Sequence, residues 1–125
     1  MAKKESLIMP NMKDRPYSSA IRAGDFVFAS GAVGNVDSQG NPVEGIEAQT
    51  RQCLENIKNV LQAAGSSLSD VVKATVFLTN ADNYAKMNEV YRSYFPKDLP
   101  ARSTVITGLA LPDILIEIEC IAYKP

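Results

Sequence analysis

The segment Ile114–Tyr123 constrains the fold more than any other part of the chain. At the two-residue period of a strand, one side carries Ile114, Ile116, Ile118, Cys120 and Ala122, and the other carries Leu115, Glu117, Glu119, Ile121 and Tyr123. A uniformly apolar side must be roofed by helices or by a second sheet. The other side, half apolar and half acidic, suits neither open solvent nor an ordinary core. The expected solution is a sheet with helices on one face and a subunit interface that also holds polar groups on the other. The segment Val71–Leu78 repeats the pattern, with Val72, Ala74, Val76 and Leu78 opposed to Val71, Lys73, Thr75 and Phe77.

Two helices can supply the roof. Ile46, Thr50, Cys53, Leu54, Ile57, Val60, Leu61 and Ala64 recur at spacings of three and four, and Gly65 is placed to stop that helix. Glu47–Arg51 and Arg51–Glu55 are i,i+4 pairs on its wet face. Asn80 is a candidate cap for a second helix over 81–94, whose stripe is Tyr84, Met87, Tyr91 and Phe95, and Pro96 ends it. Further strands are expected over 18–22, 26–30 and 102–106, with Arg15-Pro16-Tyr17 opening the folded part. The expected order is β-β-α-β-α-β-β, an α+β fold with both helices on one face of a mostly antiparallel or mixed sheet.

The chain has 125 residues, which suits a single domain over 1–125. Thirteen Lys+Arg balance 14 Asp+Glu without a basic stripe, which argues against a nucleic-acid partner. There are no histidines, which removes Ser-His-Asp and Cys-His nucleophile systems. Cys53 and Cys120 are far apart and make no zinc pattern, so buried free thiols in a reducing, cytoplasmic setting are expected. Residues 1–12 lack the apolar stretch of a signal peptide, and no apolar run is long enough to span a membrane.

Three constellations could carry chemistry. Arg102, opening one strand, could face Glu117 and Glu119 on a hairpin partner, either to anchor an acidic substrate or to pair with Glu117. The two glutamates share a face, so one carboxyl is expected to hold a raised pKa. Asn88 lies beside the apolar stripe of the second helix, where a buried amide needs partners and an edge amide meets water. Tyr17 could close a pocket, and Ser30-Gly31-Ala32-Val33-Gly34 could let a ligand approach backbone amides, although it matches no phosphate-binding loop.

Five stretches together resemble the RidA/YjgF family of enamine/imine deaminases. They are Gln49–Lys58, Ala63–Lys73, Pro100-Ala101-Arg102-Ser103-Thr104, Leu111-Pro112 and Ile116-Glu117-Ile118-Glu119. The resemblance implies a chorismate-mutase-like fold and a homotrimer whose sheets pack into a central barrel, with clefts between subunits. It implies hydrolysis of 2-imino acids or their enamine tautomers to 2-oxo acids and ammonia, with no cofactor or metal. By motif position Arg102 binds the substrate carboxylate, Thr104 adds a backbone amide, and Glu117 orients or activates water. Tyr17, Ser30, Gly31 and Asn88 line the cleft. The chain departs from the family pattern at Arg15, where glycine is usual, and at Ala32, where glutamine is usual. Two other readings are a non-catalytic trimeric module that binds small carboxylic acids, and a nuclease, which the balanced charge disfavours.

Overall fold

The apolar periodicity over 46–64 becomes α1 (Ile46–Ala63), which buries Ile46, Thr50, Cys53, Leu54, Ile57 and Leu61. Gly65 ends it in the left-handed region at φ +82°. The Ser66 amide donates to the Leu61 carbonyl (2.8 Å) and the Gly65 amide to Gln62 (3.1 Å), so the last orphan carbonyls are met. The computed structural model describes residues 3–125. The remaining elements are β1 (Lys4–Leu7), β2 (Ala20–Ala23), β3 (Phe26–Val33), β4 (Val71–Leu78), α2 (Tyr84–Tyr94), β5 (Ala101–Ile106) and β6 (Ile116–Tyr123). The Asn80 side chain accepts from the Asp82 amide (2.9 Å), capping a 3-10 turn that leads into α2. No helix among the described residues is long and apolar enough to cross a membrane.

The six strands form one mixed sheet in the order β1-β2-β3-β6-β4-β5, antiparallel throughout except for the parallel pair β4/β5. The expected α+β fold is therefore present, with α1 and α2 on one face. Ile116, Ile118, Cys120 and Ala122 join Val76, Leu78, Cys53, Leu54 and Met87 in one buried cluster.

Four sequence expectations are corrected. The folded part begins before Arg15, because Lys4–Leu7 pairs with β2 as an edge strand. A register shift between Val71 and Lys73 reverses the faces at the start of β4, so Val71 is buried and Val72 exposed. Neither Glu47–Arg51 nor Arg51–Glu55 closes as an ion pair; Glu55 instead accepts from the Tyr94 hydroxyl at 2.8 Å. Burial and that bond push the Tyr94 phenol up to about 12. Finally, β5 is no hairpin partner of β6, because β4 lies between them.

The second sheet face carries the mixture expected of it. Phe26, Phe28 and Tyr123 cluster there, with ring centroids 5.1 Å (Phe26–Tyr123) and 6.3 Å (Phe26–Phe28) apart. All three are at least 40% exposed in the single chain. Ile121, Phe77 and Val105 continue the patch across the sheet, and Glu117, Glu119, Lys73, Thr75 and Ser103 interrupt it.

Gln49 holds the loops around this framework. Its buried amide nitrogen donates to Val43 O (3.0 Å) and Asp113 O (2.9 Å), and its oxygen accepts from the Leu115 amide (2.9 Å). Replacement by leucine strands three backbone groups in a dry place. Gln49→Leu is expected to destabilise the fold by about 3 kcal/mol, read as a lower Tm at fixed protein concentration. An unchanged Tm would mean that water replaces the amide.

Candidate active site

The edge position of β5 determines what its residues can do. The Thr107 amide donates to Leu78 O at 2.8 Å, so the strand's odd-numbered amides turn toward β4. By the alternation of a strand, the amides of Arg102, Thr104 and Ile106 point out along the free edge. Register pairs Arg102 with Ala74 and Thr104 with Val76, both buried under the helices, so these two side chains rise on the helix side.

There Arg102 meets α2. Its guanidinium carbon stands 4.7 Å from the Tyr91 ring centroid and 5.9 Å from that of Tyr84. One terminal nitrogen approaches the Tyr84 hydroxyl (3.4 Å) and the other the Met87 sulfur (4.0 Å). Among the described residues it has no carboxylate partner. Two clefts flank it. One of about 320 Å³ is lined by Asn88, Tyr91, Arg92, Leu99, Pro100 and Arg102. The other, about 540 Å³, is lined by Ala81, Tyr84, Arg102, Thr104 and Ile106. Two residues lining the smaller cleft carry buried polar atoms without a partner, the Asn88 Oδ1 and the Tyr91 hydroxyl. Burial pushes the Tyr91 phenol up, against the opposing pull of Arg102.

A second group gathers at β3 and β6. Gly31 lies against Glu117: a Cβ there would come within 2.8 Å of the carboxyl carbon. Any larger residue at 31 would have to push the Glu117 carboxyl aside, so glycine here leaves the carboxyl its place. Burial, then the neighbouring Glu119 charge, raises the Glu117 pKa. The Ser30 hydroxyl donates to Ser18 O (2.6 Å) and its amide to Ser19 O (3.0 Å), fixing the chain that carries Tyr17. Tyr17 is 44% exposed, and its hydroxyl accepts from Arg15 (3.0 Å).

The two groups do not meet within one chain. Glu117 registers with Phe77, and Phe77 with Val105, on the face opposite Arg102. Two strand spacings, roughly 10 Å, separate β5 from β6 as well. Thus Asn88, Arg102 and Thr104 form one half, and Tyr17, Ser30, Gly31 and Glu117 form the other. The direct Arg102–Glu117 pairing considered from the sequence is absent.

The family model described as Endoribonuclease L-PSP matches residues 11–124. The chain belongs to this family, the YjgF/RidA proteins. A RutC family protein of Pyrococcus horikoshii is 53% identical over 110 residues, covering 87% of each chain. Reactive Intermediate Deaminase A of the Arabidopsis thaliana chloroplast is 44% identical, covering 86% of this chain and 58% of the plant protein. The crystal structure of E. coli TdcF with bound serine superposes at a TM-score of 0.82 with 35% identity, covering 88% of this chain and 89% of TdcF.

For this RidA/YjgF chain, sequence reading missed Tyr84, Tyr91 and Arg92 as cleft residues. Tyr84 and Tyr91 were expected as core stripe, but Tyr84 is 47% exposed beside Arg102. The available signal was spacing. Asn88, Tyr91 and Arg92 stand at i, i+3 and i+4, so the face that presents Asn88 presents all three.

Proposed function

We propose that this chain hydrolyses reactive 2-imino acids and their enamine tautomers to 2-oxo acids and ammonia, working as a homotrimer with its clefts between subunits. The observation that carries the reading is Arg102, unpaired, backed by two tyrosine rings and flanked by outward amides and an unmet Asn88 oxygen. Those donors suit a carboxylate, and the Asn88 acceptor suits the N–H of an adjacent imine. Glu117, with its raised pKa, suits a group that takes a proton from water. The water oxygen bonds to C2 and the C=N π electrons move to nitrogen. Glu117 passes the proton it took from water to that nitrogen, giving a carbinolamine; it then relays the carbinolamine hydroxyl proton to the same nitrogen, so that the C–N bond breaks, the C2 carbonyl forms and ammonia leaves. Positioning supplies much of the acceleration, since the two halves of the cleft need only hold the carboxylate and deliver the water.

The apolar second face and the separation of Arg102 from Glu117 both support assembly: a neighbour's β3/β6 half brought to the β5 edge would complete the cleft. The name of the plant relative and the serine held by TdcF, an amino acid with carboxylate and ammonium, support the substrate class. The endoribonuclease description of the family points elsewhere. Balanced charge and clefts of metabolite size favour the imine. Two free buried cysteines suit a reducing compartment such as the cytoplasm.

The test generates 2-iminopropanoate in situ with an amino-acid oxidase and follows its loss with and without the protein. Accelerated loss is expected, together with a light-scattering mass about three times 13.6 kDa. Binding of 2-oxo acids without turnover would instead identify a non-catalytic binding module. A monomer that hydrolyses the imine would overturn the shared cleft.

A further inference from the structure

The smaller cleft holds more positive charge than one carboxylate requires. Arg92 and Arg102 both line it, from the last turn of α2 and from β5. Neither is paired with a carboxylate among the described residues, and Glu89, one turn back on α2, does not reach Arg92. Leu99 and Pro100 form the apolar part of the wall. Two unmet polar atoms, the Asn88 oxygen and the Tyr91 hydroxyl, belong to the same lining. At about 320 Å³ the space suits a metabolite of a few carbons rather than a peptide or nucleotide.

We infer that Arg92 makes this cleft a two-cation site, selecting 2-imino acids that carry a second carboxylate on the side chain. The inference rests on the imine reading for its reaction and adds the substrate class. Arg102 takes the carboxylate next to the imine carbon, and Arg92 takes the distal one. A guanidinium at each end offers two forked, charge-assisted contacts to a short dicarboxylate. An alkyl side chain in the same place gains contact with Leu99 and Pro100 but leaves Arg92 without a partner. Arg92 is therefore a specificity residue, whose effect shows in the ratio between substrates.

The experiment measures kcat/KM for imines made in situ from aspartate and from alanine, with the wild-type protein and with Arg92→Ala and Arg92→Lys. In parallel, calorimetry measures binding of oxaloacetate, 2-oxoglutarate and pyruvate. The wild type is expected to prefer the diacid imine, and to bind at least one diacid more tightly than pyruvate. Arg92→Ala is expected to lower the diacid-to-monoacid ratio about tenfold, mostly through KM, and Arg92→Lys to fall between. Equal wild-type preference for mono- and diacids, or an unchanged ratio in Arg92→Ala, overturns the two-cation site. Tighter diacid binding that depends on Arg92, with no turnover of either imine, upholds the site and rejects the deaminase reading. Turnover of the alanine-derived imine without diacid preference does the reverse.

Discussion

Arg102→Ala is expected to weaken 2-oxo acid binding by roughly 1.5–3 kcal/mol, the range for a lost charged hydrogen bond, with imine turnover falling at least as far. Arg102→Lys should fail nearly as badly. Lysine keeps the charge but presents neither a fork for a carboxylate nor a flat face for the Tyr91 ring 4.7 Å away. Calorimetry with pyruvate, on protein whose mass and Tm match wild type, measures this directly. Undiminished affinity in a folded Arg102→Ala variant would remove Arg102 from the site.

The second large effect concerns Glu117. Glu117→Gln is expected to retain assembly and 2-oxo acid binding while slowing imine hydrolysis by about a hundredfold or more. Glu119→Gln should do less, because Glu119 is exposed and Glu117 is the residue against Gly31. The raised pKa adds a pH signature. If ionised Glu117 takes the proton, wild-type kcat should rise with pH through a value raised above the 4.5 of a free glutamate. Stability should move the opposite way. The folded state holds this proton more tightly than the unfolded chain, so ionisation between the unfolded value of 4.5 and the higher folded one costs stability as pH rises. Glu117→Gln should therefore raise Tm at neutral pH while the rate falls. Loss of binding along with rate would mean that Glu117 acts by positioning substrate. Full turnover in Glu117→Gln with loss in Glu119→Gln would transfer the role by one strand repeat.

The elements most legible in the sequence are those whose side chains repeat a burial pattern. α1 and β6 each bury a continuous stripe, and their boundaries follow within two residues. β1 went unseen because Lys4-Glu5-Ser6-Leu7 is an exposed edge, where backbone pairing alone makes the strand. The Val71/Val72 exchange was equally invisible, since a bulge changes which side a residue faces without changing composition. Gln49 stands three residues after Ile46 and four before Cys53, at the spacing of the buried stripe, yet its three hydrogen bonds depend on loops distant in sequence. For the site, the family motifs pointed to Arg102 and Glu117, but their relation required the sheet order. Period two gives each strand its faces and leaves open which strand lies next to it. The insertion of β4 between β6 and β5 separates what a hairpin would have joined.

That separation of Arg102 and Glu117 on opposite faces has a genetic consequence. In the proposed ring of three, each cleft draws one half from each of two neighbouring chains. A subunit lacking only Arg102 spoils one cleft, whereas a subunit lacking both residues spoils two. Co-expressed with wild type, the double-defect allele should therefore be the more dominant. Two alleles, each inactive alone, one without Arg102 and one without Glu117, should restore some activity in mixed rings.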